Sequence, residues 1–209
     1  MRVTLLEADA RTAGVRIQLD GNPFGSVGLA DVAALSLAEG RDITDDTAAD
    51  LARRAEAFSA RLVAMRMLAI RGLPGAELSR RLLRKGHSKL AVEVAVSGLR
   101  EAGLVNDADF ARHFVRTRAH RQRLGPRRLM GDLRRLGVED RVAQTALSEV
   151  FAADGLDPRV VLREAAQKKV HALRGLDPVV ARRRLRAYLL RRGFSGGEIA
   201  AVVKEALPR

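Results

Sequence analysis

Apolar and polar positions recur along this chain in blocks, and one block, Leu-x-x-x-Leu-x-x-x-Gly, occurs three times. It reads Leu78, Leu82, Gly86, then Leu129, Leu133, Gly137, then Leu185, Leu189, Gly193. Two leucines four apart share one face of a helix, and a glycine one turn later readily takes the left-handed conformation that ends it. The positions after each glycine agree as well. Apolar residues stand six on at Val92, Ala143 and Ile199, ten on at Val96, Leu147 and Val203, and thirteen on at Leu99, Val150 and Ala206. That series again follows one helical face. Each copy therefore predicts helix, glycine turn, helix. With a leading helix counted, each becomes a three-helix unit, and internal repetition predicts an array of such units.

The first sixty residues have a different period. Val15, Ile17 and Leu19 alternate with Arg16 and Gln18, the mark of a half-buried strand. Val3, Leu5 and Leu6 form an earlier strand-type run. Asp20-Gly21-Asn22-Pro23 supplies turn chemistry, and Phe24 to Leu29 forms the returning strand. A β-hairpin or three-stranded element of this size requires a helix to pack on. A short helix is expected over Asp31–Ala38, closed by Gly40. Thr44, followed by Asp45 and Asp46, caps a long helix reaching Arg71 without Gly or Pro. Asn106-Asp107 opens the next helix, Gly125-Pro126 breaks the chain, Ala152–Pro158 reads as a linker, and Pro158 and Pro178 mark further helix starts. The expected fold is mainly α: tandem three-helix repeats in an elongated right-angled array, with a small N-terminal β-hairpin or three-stranded element. Its expected boundaries are 1–60, 61–104, 105–151 and 159–209.

Charge adds a direction to this picture. Residues 1–60 carry six Lys/Arg against ten Asp/Glu, whereas residues 61–209 carry 32 against 15. The basic excess lies on the helical array, as expected of a surface that meets a polyanion. At about 100° per residue, the position two before each repeat glycine turns away from the leucine pair. That position holds Arg84, Arg135 and Arg191. Arg128 and Arg184, seven residues before the last two, fall on nearly the same azimuth, and Arg127, Arg134 and Arg183 widen the band. These eight arginines are the candidate partner- and DNA-binding residues. Phe110, Phe114, Phe151 and Phe194 occupy apolar positions and read as core, and with one Tyr and no Trp the chain offers hardly any exposed aromatics for a stacking platform. Contact of Arg with phosphate or carboxylate, without base readout, is the expected chemistry.

Other chemistries are poorly represented. The chain has no Cys, which excludes zinc ribbons, thiol nucleophiles and disulfides. Gly72–Gly75 lacks the Gly-Lys-Ser/Thr ending of a phosphate-binding loop. The four histidines, at 87, 113, 120 and 171, include no His-Glu-x-x-His pair. Asp45-Asp46 and Asp107/Asp109 sit where helices begin, and capping explains them. Arg66 interrupts Leu62–Ile70, so no apolar run reaches membrane-spanning length. The expectation is a non-enzymatic, cytoplasmic, monomeric protein with no cofactor, no metal and no membrane partner.

The most specific stretch is Asp107-Ala108-Asp109-Phe110-Ala111-Arg112-His113-Phe114-Val115, followed by Leu124-Gly125-Pro126-Arg127-Arg128-Leu129 and Leu133-x-x-x-Gly137-Val138. It resembles the central segment of the RecX family of regulatory proteins, Asp-x-x-Phe-Ala, with its following Gly-x-x-x-Leu helix and Gly-Ile/Val turn. Leu68-x-x-Arg71, Glu77-Leu78 and Leu82-Leu83-Arg84-Lys85-Gly86 resemble that family's first repeat. The resemblance extends from the N-terminal strand region to Leu207. It departs at Leu73-Pro74, where the family commonly has Arg-Ser, and at His87, where an aromatic usually stands. The resemblance implies a non-enzymatic protein of recombination, DNA repair and the SOS response. Such a protein would lodge in the groove of the RecA nucleoprotein filament and inhibit its ATP hydrolysis, strand exchange and repressor co-cleavage. Its implied partners are the RecA filament and single- and double-stranded DNA without sequence specificity. A helix-turn-helix DNA-binding protein acting in transcription is the alternative. An Arg band repeated over three units favours backbone contact over base reading from one recognition helix.

Overall fold

Three strands, β1 (Val3–Asp9), β2 (Gly14–Leu19) and β3 (Asn22–Gly28), pair antiparallel in chain order. The alternation in β2 places Val15, Ile17 and Leu19 inside and Arg16 outside. Asp20 and Gly21 both take positive φ, +50° and +78°, between the paired Leu19 and Asn22. This is a two-residue hairpin loop whose twist suits the strands. The helix expected over Asp31–Ala38 instead runs Leu29–Ala34 (α1), because Ser36 turns to φ +49° and ends it. Helix α2 (Asp45–Ile70) starts where the capping residues predict, with the Thr44 hydroxyl accepting from the Thr47 amide at 3.2 Å.

The computed structural model describes residues 1–207, in two compact units, Met1–Asn106 and Asp107–Arg209. Positions 208 and 209, included in the last expected repeat, lie outside the described residues. In the first unit α2 serves two cores. Its first half lays Ala48 and Leu51 on Val3, Ile17, Leu19 and Val27 of the sheet. Its second half joins α3 (Gly75–Arg84) and α4 (Lys89–Glu101) around Leu78, Leu82, Val92, Val96 and Leu99. Between the two, Ala60, Ala91 and Ala95 form a seam of small side chains. One unbroken helix therefore crosses positions 60 and 61.

The second unit holds two further clusters. Helices α5 (Asp107–Gln122), α6 (Pro126–Leu136) and α7 (Asp140–Ala153) enclose Val115, Leu129, Leu133, Ala143 and Val150. Helices α8 (Pro158–Val170), α9 (Pro178–Arg191) and α10 (Gly196–Ala206) enclose Leu162, Leu185, Leu189, Phe194 and Ile199. Leu156, from the segment between them, packs on both clusters. All six leucines of the repeated pattern are fully buried. The three pattern glycines take nearly one conformation, with φ of +92°, +86° and +87°.

Asp154, which caps the end of α7, ties that helix to α5. Arg116 donates to its carboxylate from Nε at 2.9 Å and Nη2 at 3.0 Å, and His120 Nε2 lies 3.0 Å from it. The Arg116 hydrogen bonds, followed by that of His120, hold the Asp154 carboxyl below its ordinary value. A depressed carboxyl stabilises the fold at pH values above its unfolded value of about 3.9 and loses that contribution as pH falls through the lower native value. The stability difference between the parent and Asp154→Asn should therefore shrink on acidification from about pH 5 to pH 3. Urea unfolding at a series of pH values measures this, and a pH-independent difference would remove Asp154 from the acid response.

Candidate nucleic-acid interface

The two units differ sharply in charge. The first carries 15 Lys/Arg against 13 Asp/Glu, whereas the second carries 23 against 12. The array's excess thus concentrates on residues 107–209, since the first repeat's cations are balanced by the acidic N-terminal segment.

Helix α6 begins at Pro126, whose missing amide costs nothing in a first turn. Leu129 and Leu133 face the core, so Arg127, Arg128, Arg134 and Arg135 face solvent. One residue breaks that division: Asp132 is only 7% exposed. Its carboxylate accepts from Arg128 Nε at 3.0 Å and from Arg135 Nη2, and Arg118 Nη1 approaches to 3.8 Å. The Arg118 guanidinium also lies over the Phe114 ring, 4.4 Å from its centroid. A buried carboxylate facing several guanidiniums gathers them without neutralising them. Arg134 is otherwise engaged, in a fork to Asp140 at 2.8 and 2.9 Å. That pairing holds the Asp140 carboxyl below its usual range.

Helix α9 carries Arg183, Arg184 and Arg191, all exposed and none with an acidic partner among the described residues. The turn that follows α9 abuts the start of α6. The Gly125 amide donates to the Arg192 carbonyl at 2.8 Å, and the Arg127 amide to the Gly193 carbonyl at 3.3 Å. A Cβ on Gly125 would lie 2.7 Å from the Gly193 oxygen, and one on Gly193 would lie 2.3 Å from the Arg128 nitrogen. Two glycines thus allow backbone to meet backbone, and the contact carries Arg191 toward Arg128.

Where they meet is a cavity of about 450 Å³. Arg128 of α6 and Arg191 of α9 line it, as does the buried Asp132. The end of α5 adds Arg118 and Arg121, the following loop adds Arg123, and α8 adds Lys168. Arg192 and Tyr188 complete the wall, with Arg192 Cζ 4.9 Å from the Tyr188 ring centroid and its Nη1 donating to the Gln122 carbonyl. Of the eight arginines expected from the sequence, the structure brings Arg128 and Arg191 to this cavity and places Arg135 beside Arg128 on Asp132. Arg127, Arg183 and Arg184 lie outside its lining, and Arg134 is paired elsewhere. Arg84 belongs to the first unit, 72% exposed at the end of α3 and 3.9 Å from Glu77. Glu77 itself is held below its usual range chiefly by the Arg81 hydrogen bond.

Sequence reasoning missed the cations of α5, α8 and the α9 end together with Asp132. A signal was present: α5, α8 and α9 each carry basic residues in the last turn. No acidic or histidine cluster suited to a metal ion occurs among the described residues, and no helix among them is long and apolar enough to cross a membrane.

Comparison with known proteins bears on the family and the fold. The family model described as RecX, second three-helix domain, matches residues 106–147, and that of the third three-helix domain matches 160–203. The Regulatory protein RecX of Amycolatopsis mediterranei is 39% identical over 141 residues, covering 68% of this chain and 79% of the relative. That of Streptomyces coelicolor is 33% identical over 148 residues, covering 71% and 77%. A crystal structure of regulatory protein RecX superposes with a TM-score of 0.77 at 20% identity, covering 98% of each chain. The RecX structure from Lactobacillus salivarius gives 0.60 at 20% identity, over 72% of this chain and 96% of that one. These two likenesses are likenesses of fold.

Proposed function

The chain belongs to the RecX family of regulatory proteins, and on that premise we propose that it is a non-enzymatic regulator of homologous recombination and DNA repair. It binds in the groove of the RecA nucleoprotein filament and inhibits ATP hydrolysis, strand exchange and repressor co-cleavage. In this reading it acts as a cytoplasmic monomer with three-helix units bounded near 61–104, 105–151 and 159–209, and it contacts single- and double-stranded DNA without regard to sequence. The observation that carries the reading is the concentration of exposed arginines on α6 and α9 of the strongly basic second unit. A filament groove displays phosphates and acidic protein surface, and many weak Arg contacts there add up to an affinity that falls steeply with salt. Arg84, Arg127, Arg128, Arg134, Arg135, Arg183, Arg184 and Arg191 are the proposed contact residues.

The structure guides which of them to reverse. Glutamate at 128 or 135 would set a second carboxylate beside buried Asp132, so loss of function there would be confounded by loss of stability. Arg127, Arg183 and Arg184 have no acidic partner among the described residues. The triple variant Arg127→Glu, Arg183→Glu, Arg184→Glu should melt within a few degrees of the parent, because surface charges contribute weakly to stability. It should lose inhibition of RecA-dependent ATP hydrolysis on single-stranded DNA, and its salt slope should fall by about 1 for each phosphate contact removed. A parent protein without effect on that hydrolysis would overturn the proposal. A folded triple variant that inhibits like the parent would remove this face from it. Binding to bare duplex DNA with a base preference would favour the transcriptional alternative.

A further inference from the structure

We propose that the cavity between α5, α6, α8 and α9 is a seat for adjacent phosphate groups, supplied by a nucleic-acid backbone or by a free polyphosphate. The charge count comes first. Seven cationic side chains and a single carboxylate line about 450 Å³. Some of these cations have structural work: Arg118 and Arg128 face Asp132, Arg123 pairs with Glu164 at 3.0 Å, and Arg192 caps the Gln122 carbonyl at the end of α5. Arg121, Lys168 and Arg191 have no acidic partner among the described residues, and they come from three different helices or their last turns. Helix-end capping accounts for a cation on each helix; it does not account for convergence on one cavity. Like charges held at this density repel one another, and a ligand bearing several negative charges within the same span relieves that repulsion as a single carboxylate does not.

The second argument is rigidity. Asp132, buried on α6, fixes Arg128, and Phe114 with Asp132 fixes Arg118. The Tyr188 ring, also in the lining, is engaged by Arg192 at 4.9 Å and by Lys169 Nζ at 5.5 Å. A site whose donors are held before the ligand arrives loses less entropy on binding. Because cations already occupy the Tyr188 ring, the cavity reads phosphate rather than base. The inference rests on the preceding reading for the strand as a source of phosphate, and not for the site.

Tyr188 makes the test direct, since the chain has one Tyr and no Trp. Titration of the full chain with inorganic tripolyphosphate, which does not absorb in the protein range, should produce a saturable change in tyrosine emission that sodium chloride at equal ionic strength does not. The variant Arg121→Ala, Lys168→Ala, Arg191→Ala should weaken that binding by about tenfold or more through lost charge-assisted contacts. An equal loss of charge at Arg141→Ala, Arg159→Ala, Arg174→Ala, outside the cavity, should weaken it by no more than about threefold through screening and net charge alone. The single change Arg191→Ala is the second variant should the cavity triple fold poorly. Absence of a saturable emission change, or equal losses in both triples, would overturn the site. A labelled oligo-dT separates the sources. Displacement by tripolyphosphate with loss in the cavity triple assigns the seat to a strand backbone; oligo-dT binding untouched by either assigns it to a free polyphosphate. RecA-dependent ATP hydrolysis, measured on the same parent protein, keeps the two proposals apart, since inhibition without a Tyr188 response removes the seat alone.

Discussion

Gly193→Ala is expected to destabilise the second unit by about 2–5 kcal/mol, whereas Gly86→Ala, at the equivalent turn of the first unit, should cost about 1–2 kcal/mol. Both glycines have left-handed φ, +87° and +92°, so both substitutions incur the same backbone penalty. They differ in surroundings. A Cβ at Gly86 meets nothing within 4 Å, whereas one at Gly193 falls 2.3 Å from the Arg128 nitrogen and 2.4 Å from its Cβ. Main chain cannot rotate aside as a flexible side chain can, so α6 and the α9 turn must separate. Denaturant unfolding of the two variants measures the difference directly. Equal losses would show that the Gly125–Gly193 approach contributes nothing to stability. The junction also positions the cavity, so Gly193→Ala should lower tripolyphosphate affinity as well, and Gly86→Ala should not.

The helical architecture was legible because each unit places its core at fixed distances from a glycine. Leu78, Leu129 and Leu185, and the leucines four later, are all fully buried, and Val92, Ala143 and Ile199 follow within a few per cent. A period of 3.6 maintained over two helices leaves little room for another fold. Legibility failed where the element was short. The six residues of α1 present too few turns for a period, and the residue that ends it, Ser36, adopts positive φ without being a glycine. Long α2 was read correctly as a helix, but no local signal shows that its two halves serve different cores.

The candidate interface was legible in composition and only partly in geometry. The outward azimuth of Arg128, Arg135 and Arg191 follows from one helix at a time, and each is exposed as expected. Convergence of α5, α8 and α9 is a property of packing between helices within the second unit, where Gly125 meets Gly193, and a single helical wheel carries no trace of it. Asp132 was missed for a related reason. An aspartate amid arginines on α6 reads as one more solvated residue, yet it is buried and is approached by Arg118 from another helix.

Leu133→Ala is expected to cost about 2–5 kcal/mol, the range for a fully buried leucine whose cavity only partly collapses. Leu133 is 0% exposed among Val115, Leu129, Ala143 and Val150. Leu190→Ala, at a residue 47% exposed on α9, should stay within about 0.5 kcal/mol. Two probes show how far the loss spreads. Far-ultraviolet circular dichroism follows all helices, whereas Tyr188 emission follows the α8–α10 cluster, to which Leu133 does not belong. That cluster is joined to the Leu133 core by Leu156, which packs on both, and by the backbone contacts at Gly125 and Gly193. If those links make the second unit one cooperative body, Leu133→Ala lowers the Tyr188 transition by the same free energy as the helical one, with an unchanged denaturant slope. A Tyr188 midpoint left in place would mean that the two clusters unfold separately. The cavity between them would then be a hinge rather than a fixed seat.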